Sequence, residues 1–216
     1  MSVEQRVREH FEADANRFDA IYETRKGPIQ KFVDDVWRGV VRRRFNLTLQ
    51  KLEPFSGKSI IDVGCGSGRY CLAFAHKGAK RVVGIDFAKQ MIDLADKYAK
   101  EQGVADRCRF VTGAFPQDAP AGPYDYATGM GFFDYIAEPL PIVKAMKSMT
   151  TSRMVMSFPK SREWRVPLRR FRFWLAKCPL YLYSEAKVRQ LLRDAGIEKY
   201  DWIELDRDYI VIANLS

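Results

Sequence analysis

The sequence predicts an α/β fold in which a parallel sheet carries helices on both faces, preceded by a helical segment. Three observations carry this. From residue 56 onward, short β-rich runs alternate with segments of helical composition, as repeated β-α units do. The first run, Ile60 to Val63, leads into glycines at alternate positions, Gly64, Gly66 and Gly68, and then into a helical segment. The first 55 residues instead have helical character, with no glycine before Gly27.

Each element can be justified in turn. In the leading segment Ile29, Phe32, Val33, Val36, Trp37, Val40 and Val41 recur at helical spacing, so one face is expected to be buried. After Gly68, RYCLAFAHK is helical in composition and stops at Gly78, which suits a helix C-terminus. A second strand, Arg81 to Ile85, ends at Asp86, and a helix over about 89–102 closes at Gly103. Strands are expected at 109–112, 124–130 and 153–158, with a short helix at 141–149 before the last of these. A basic, aromatic-rich stretch contains a helix starting at Pro167, a residue favoured at the first helical position. The tail supplies a helix at 184–195, a strand-like stretch near Trp202 and a last strand at 209–212. In such sheets ligands bind at the carboxyl ends of the strands.

The 216 residues suit one large domain. Within it we expect a helical cap at 1–55, a binding core at 56–158, a basic aromatic insert at 159–183, and a C-terminal helix and strands at 184–216. There is no run of about 18 apolar residues, and the start, MSVEQRVREHFEADANRF, is charged throughout. Neither a signal peptide nor a membrane span is expected, and the location is expected to be cytoplasmic. Cys65, Cys71, Cys108 and Cys178 form no C-x-x-C pair and no zinc spacing, which fits reduced thiols. With only His10 and His76, no histidine-rich metal site can form, and no metal is expected. The net charge of +9 is uneven: residues 159–180 hold seven basic residues and one acidic. An anionic partner is to be sought there.

The glycine loop decides the ligand class. A dinucleotide fold would use G-x-G-x-x-G, yet the third glycine position is Arg69 counted from Gly64 and Cys71 counted from Gly66. An acidic residue, Asp62, comes before the glycines and suits a ligand with a cationic head. S-adenosylmethionine, with its ammonium, sulfonium and ribose, is such a ligand. Asp62-Val63-Gly64-Cys65-Gly66-Ser67-Gly68 resembles the first motif of class I S-adenosylmethionine-dependent methyltransferases throughout, and Asp86 falls where that family places its ribose-binding carboxylate.

The resemblance implies a Rossmann-like, seven-stranded, mostly parallel sheet whose final strand is antiparallel. It implies that Asp62, Gly64, Cys65, Gly66 and Gly68 form the methionine end of the site and Asp86 the ribose end; Phe87 and Met91, which follow Asp86, are placed either on adenine or in the ordinary core. Ala114, Phe115 and Met130 complete the cofactor set. One departure stands out: many relatives carry an acid after the glycine that ends strand three, but Gly113 is followed by Ala114. Adenine recognition then falls to backbone groups, water, or another side chain such as Asp118.

The loop Gly129 to Tyr135 lies where the acceptor should meet the methyl group. It lacks both the N/D-P-P-Y/F/W sequence of amino-methylating nucleic-acid enzymes and a Pro-Cys nucleophile. A hydroxyl acceptor needs a base, and Asp134 is the first candidate with Tyr135 second; Asp134 as a cap of the following turn is the structural alternative. Tyr22, Phe133, Arg165, Arg169 and Trp174 are assigned to the acceptor. Tyr22 belongs, with Phe18, to FEADANRFDAIY, which resembles the cofactor-closing stretch of relatives. On the helix from Pro167, the residues Leu168, Phe171, Trp174, Leu175 and Cys178 share one arc, with Arg169, Arg170, Arg172 and Lys177 facing away.

That segment reads as a pocket for an anionic or flat acceptor, as a face for an acidic membrane or polymer, or as a solvated cover of the core. The expected function is methyl transfer to oxygen or nitrogen of a small molecule. Methylation of RNA or of a membrane-associated lipid or quinone precursor, and a catalytically silent S-adenosylmethionine-binding regulatory protein, are the alternatives.

Overall fold

The computed structural model describes residues 28–162, 166–175 and 178–216 and, within them, the side chains of all but 28–38, 168, 169 and 172. Helix α1 (Pro28–Leu52) leads into β1 (Ser59–Val63), α2 (Arg69–His76), β2 (Arg81–Asp86), α3 (Lys89–Glu101) and β3 (Cys108–Thr112). Then come β4 (Tyr124–Gly129), a 3-10 turn (Phe133–Tyr135), α4 (Pro139–Ser148), β5 (Thr150–Pro159) and α5 (Val166–Leu175). Helix α6 (Glu185–Asp194) and strands β6 (Tyr200–Leu205) and β7 (Asp208–Asn214) close the chain.

The seven strands form one sheet in the order β3-β2-β1-β4-β5-β7-β6. Strands β1 to β5 run parallel, and β7 is antiparallel to both neighbours. The antiparallel hairpin follows from its loop. Only Asp206 and Arg207 separate β6 from β7, too few residues for a crossover, and Asp206 takes a left-handed φ of 48°. The chain steps outward from β1 to β3 and then returns to place β4 on the other side of β1. This makes the β1/β4 boundary the switch point, beside which ligands bind in open α/β sheets.

Both faces of the sheet are covered, and the strand period shows it. Ile61, Val83, Ala127, Met154 and Val211 belong to one core with α4 and α6, through Val143, Met146, Val188 and Leu192. Their chain neighbours Ile60, Val82, Tyr126, Val155, Ile210 and Ile212 belong to a second core with α1, α2 and α3, through Leu52, Phe74, Ala75, Ile92 and Ala99. Strand β5 is longer at both ends than the apolar run 153–158, because β4 and β7 pair along it from either side. Helix α4 begins at Pro139 rather than 141. Of the apolar face expected on α1, Val40 is buried and Val41 half-buried, and the side chains from Ile29 to Trp37 lie outside the described residues. Arg153 Nη1 donates to the carbonyls of Lys51 and Glu53, both at 3.1 Å, which caps the end of α1. Among the described residues no helix is long and apolar enough to cross a membrane.

Candidate functional site

The loop after β1 is held open by glycine. Gly64 has φ 69°, and a Cβ there would lie 2.4 Å from Phe132 Cδ2, so a side chain is excluded on both counts. Gly66 has φ 53° but a Cβ there would meet nothing within 4 Å. Its backbone thus borders free space at the carboxyl end of β1, where a ligand can approach the main chain closely.

Asp86 joins this loop to the next. Its Oδ2 accepts from the Gly66 N–H and its Oδ1 from the Ala88 N–H, both at 2.9 Å, so one carboxylate bridges the loops that leave β1 and β2. Burial raises its pKa, while the amides of Ala88, Gly66 and Phe87 pull the other way. A carboxylate has about four acceptor positions, so these three amides leave capacity for a ligand hydroxyl.

Asp62 lies deeper. It is only 1% exposed. Its Oδ1 accepts from Thr128 Oγ1 at 2.6 Å and its Oδ2 from Cys71 Sγ at 3.7 Å, which turns the carboxylate toward β4 and α2 beneath the glycine loop. Burial pushes its pKa up from 3.8 to about 7, against the bonds from Thr128 and Cys71 and with Asp86 adding to the rise. The folded state therefore holds a proton that the unfolded chain has released between those two values. Folding stability is expected to fall as pH rises from about 4 to about 7, in the sense linkage requires. Urea unfolding across that range measures the slope, and Asp62→Asn should flatten it; an unchanged slope in the variant would refute the assignment.

The remaining cofactor candidates divide between the site's edge and the core. Phe87 packs with Ala88, Met91 and Leu94 in a small cluster next to Asp86. Ala114 is exposed at the end of β3, and its N–H donates to Asp118 Oδ2 at 2.8 Å. A Cβ on Gly113 would lie 2.4 Å from the Asp118 Cβ, so the glycine lets Asp118 fold back over this corner. Phe115, Met130 and Cys65 have their side chains in the two cores, and the Cys65 sulfur lies against Gly84 of β2.

On the acceptor side the loop after β4 is tightly held. The Gly131 N–H donates to Ser157 Oγ at 2.7 Å. Phe133 is fully buried, its ring 4.5 Å from that of Phe158, whereas half-buried Phe132 covers Gly64. Asp134 is buried, and its carbonyl accepts from the Tyr181 N–H at 2.8 Å. Its side chain lies in the field of Arg44, a residue of α1 whose Nη1 donates to Asp208 Oδ2 at 3.2 Å. Burial of Arg44 opposes its charge, but Asp208, Tyr70 and Asp134 outweigh this and hold the guanidinium above its ordinary pKa. Thr128, Ser157, Arg44 and Asp208 were not singled out by sequence. The one available signal was polar residues inside otherwise apolar strands, as in Tyr124 to Gly129.

The structure shows which way the expected arc on α5 is turned. Phe171, Trp174 and Leu175 are 56%, 72% and 60% exposed among the described residues, so this part of the arc faces outward. The inward contacts come from Val166, Cys178 and Phe173, whose ring centre is 6.1 Å from that of Tyr135. A ten-residue amphipathic helix can satisfy packing with either of two apolar strips, and here the Phe173 side wins. Arg169 lies on α5 with its side chain outside the described residues, as are Phe18, Tyr22 and Arg165.

Comparison with known proteins agrees with this geometry. Residues 60–152 match the family model of a methyltransferase domain. That stretch, which holds the glycine loop, Asp86 and the loop after β4, is similar to a methyltransferase domain. The ubiquinone biosynthesis O-methyltransferase of Vibrio parahaemolyticus is 30% identical over 108 residues, 49% of this chain and 45% of that protein. Its counterpart from Actinobacillus pleuropneumoniae is 33% identical over 119 residues, 53% of this chain and 50% of that protein. The chain thus spans about half the length of the curated relatives it matches. The likeness of fold extends further: the crystal structure of magnesium protoporphyrin IX methyltransferase from Synechocystis PCC 6803 with bound SAH superposes with a TM-score of 0.77. That likeness covers 99% of this chain and 100% of the other at 22% identity.

Proposed function

We propose that the protein transfers a methyl group from S-adenosylmethionine to oxygen or nitrogen of a small-molecule acceptor. The observation that carries this is Asp86 tying Gly66 to Ala88 beside free space, with acceptor capacity to spare for a ribose hydroxyl. Relatives named for ubiquinone biosynthesis and for magnesium protoporphyrin IX support a small-molecule acceptor. The bound cofactor supplies an electrophilic methyl carbon on a sulfonium. The chain's part is to align the acceptor with the C–S bond and to keep water out, the chief requirements of an in-line displacement. Gly64, Gly66 and Asp86 hold the nucleoside, the loop from Gly129 to Tyr135 faces the acceptor, and Asp134, with Tyr135 second, takes the proton a hydroxyl or amine acceptor releases.

Asp86→Ala should weaken S-adenosylhomocysteine binding by roughly 1.5–3 kcal/mol, about tenfold or more, because a ribose hydroxyl and the Gly66 amide lose their acceptor together. Calorimetry on variant and parent measures this, with circular dichroism to show both folded. Binding at parental strength would reject the site. Radiolabelled methyl transfer to candidate acceptors then separates an enzyme from a silent binding protein.

A further inference from the structure

The exposed large apolar side chains among the described residues are Phe171, Trp174 and Leu175, all on α5. Their spacing, i, i+3 and i+4, puts them on one face, and the rings of Phe171 and Trp174 stack with centres 6.1 Å apart. Around them the sequence from 161 to 177 has six basic residues and one acidic, and Arg162 and Arg170 are exposed. Lys160, just before this stretch, is paired with Glu204 at 2.9 Å and is not counted. An apolar strip flanked by arginines does not suit a solvated cover, since water gains nothing from the aromatics. It suits the boundary layer of a bilayer, where aromatic rings sit among headgroups and cations meet acidic lipid.

We propose that α5 docks the protein on an anionic lipid surface. The charge is complementary to acidic headgroups, and the apolar strip accounts for what charge alone would not bring. The opposite side of the helix is tied to the acceptor side of the site. Phe173 packs against Tyr135, the Cys178 N–H donates to the Phe173 carbonyl at 3.0 Å, and the Tyr181 N–H donates to the Asp134 carbonyl at 2.8 Å. Docking through α5 therefore sets the loop from Gly129 to Tyr135 at the membrane face, so an amphiphilic acceptor can be taken from the lipid surface. The docking itself does not depend on methyl transfer.

Co-sedimentation of the full chain with phosphatidylcholine vesicles, with and without phosphatidylglycerol, tests this at low and physiological salt. Binding should be about tenfold or more stronger with the anionic lipid and should weaken as salt rises. The double change Phe171→Ser and Trp174→Ser should reduce partitioning about tenfold or more, and Arg170→Glu should reduce it for anionic vesicles only. S-adenosylhomocysteine affinity and melting temperature, measured on the same samples, should stay at parental values, which separates failure of docking from failure of the site or the fold. No co-sedimentation at low salt, or vesicle binding indifferent to the double serine change, would overturn the proposal. So would salt-sensitive binding to RNA, lost in Arg170→Glu, in a protein that leaves anionic vesicles alone.

Discussion

Replacing Arg44 with methionine is expected to cost about 3–5 kcal/mol of folding stability, the scale for removing one partner of a buried ion pair. Arg44 is 9% exposed and Asp208 2%, and Asp134, also buried, shares the same field. Methionine fills much of the space of the aliphatic stem, so the loss reflects carboxylates stranded in a low-dielectric interior rather than a cavity. Urea unfolding at neutral pH measures it as a lower midpoint at constant slope. Adding Asp208→Asn to Arg44→Met should recover part of the loss, because it removes one stranded charge. If the two changes are simply additive, the ion pair is not what holds α1 to β7.

Asp134→Asn is expected to lower turnover about 10²–10⁴-fold while leaving S-adenosylhomocysteine affinity near the parental value, as loss of a general base does. The carboxylate belongs to the 3-10 turn beyond β4, on the far side of the glycine loop from Asp86, and so its removal should leave the nucleoside contacts intact. Its neighbour Arg44 makes a structural role the competing account. The two separate cleanly in one pair of measurements. Loss of rate per folded molecule at unchanged melting temperature marks a base, whereas a lower melting temperature with normal rate per folded molecule marks a structural partner of Arg44.

What was legible in the sequence was what neighbours in the chain decide. The glycine loop is local: strand, acid, three glycines and helix follow one another within about ten residues, and Asp86 ends the next strand. Strand and helix order was equally readable, since burial on both faces makes each parallel strand an apolar run. The rest of the site depends on partners that the chain brings from far away. Thr128 reaches Asp62 across 66 positions, and Arg44 reaches Asp208 across 164. No spacing rule encodes such a pair; it appears only when β4 takes its register beside β1 and α1 lies across the sheet. The turned face of α5 was hidden for another reason. Hydrophobic periodicity marks apolar strips on a helix but not which strip the fold covers, and Phe171, Trp174 and Leu175 give as strong a pattern as the Phe173 side does.

The two consecutive arginines of α1 also set an order of events. Arg43 makes a two-pronged bond to Asp206, at 3.0 and 2.7 Å, and Arg44 bonds Asp208, so both grip the turn of the last hairpin. On the ribosome that turn emerges after β1 to β5 have been made, and domains generally begin to assemble while synthesis continues. The glycine loop can acquire its neighbours once residue 129 is out, but α1 waits for more than 160 positions of chain before its arginines find their acids. Until then it carries a guanidinium meant for burial that lacks its hydrogen-bonded carboxylate, Asp208, and is better left in water. The nascent protein therefore builds its nucleoside cradle first and seats its leading helix last, with the delay written into a pair of bonds between its first and final described elements.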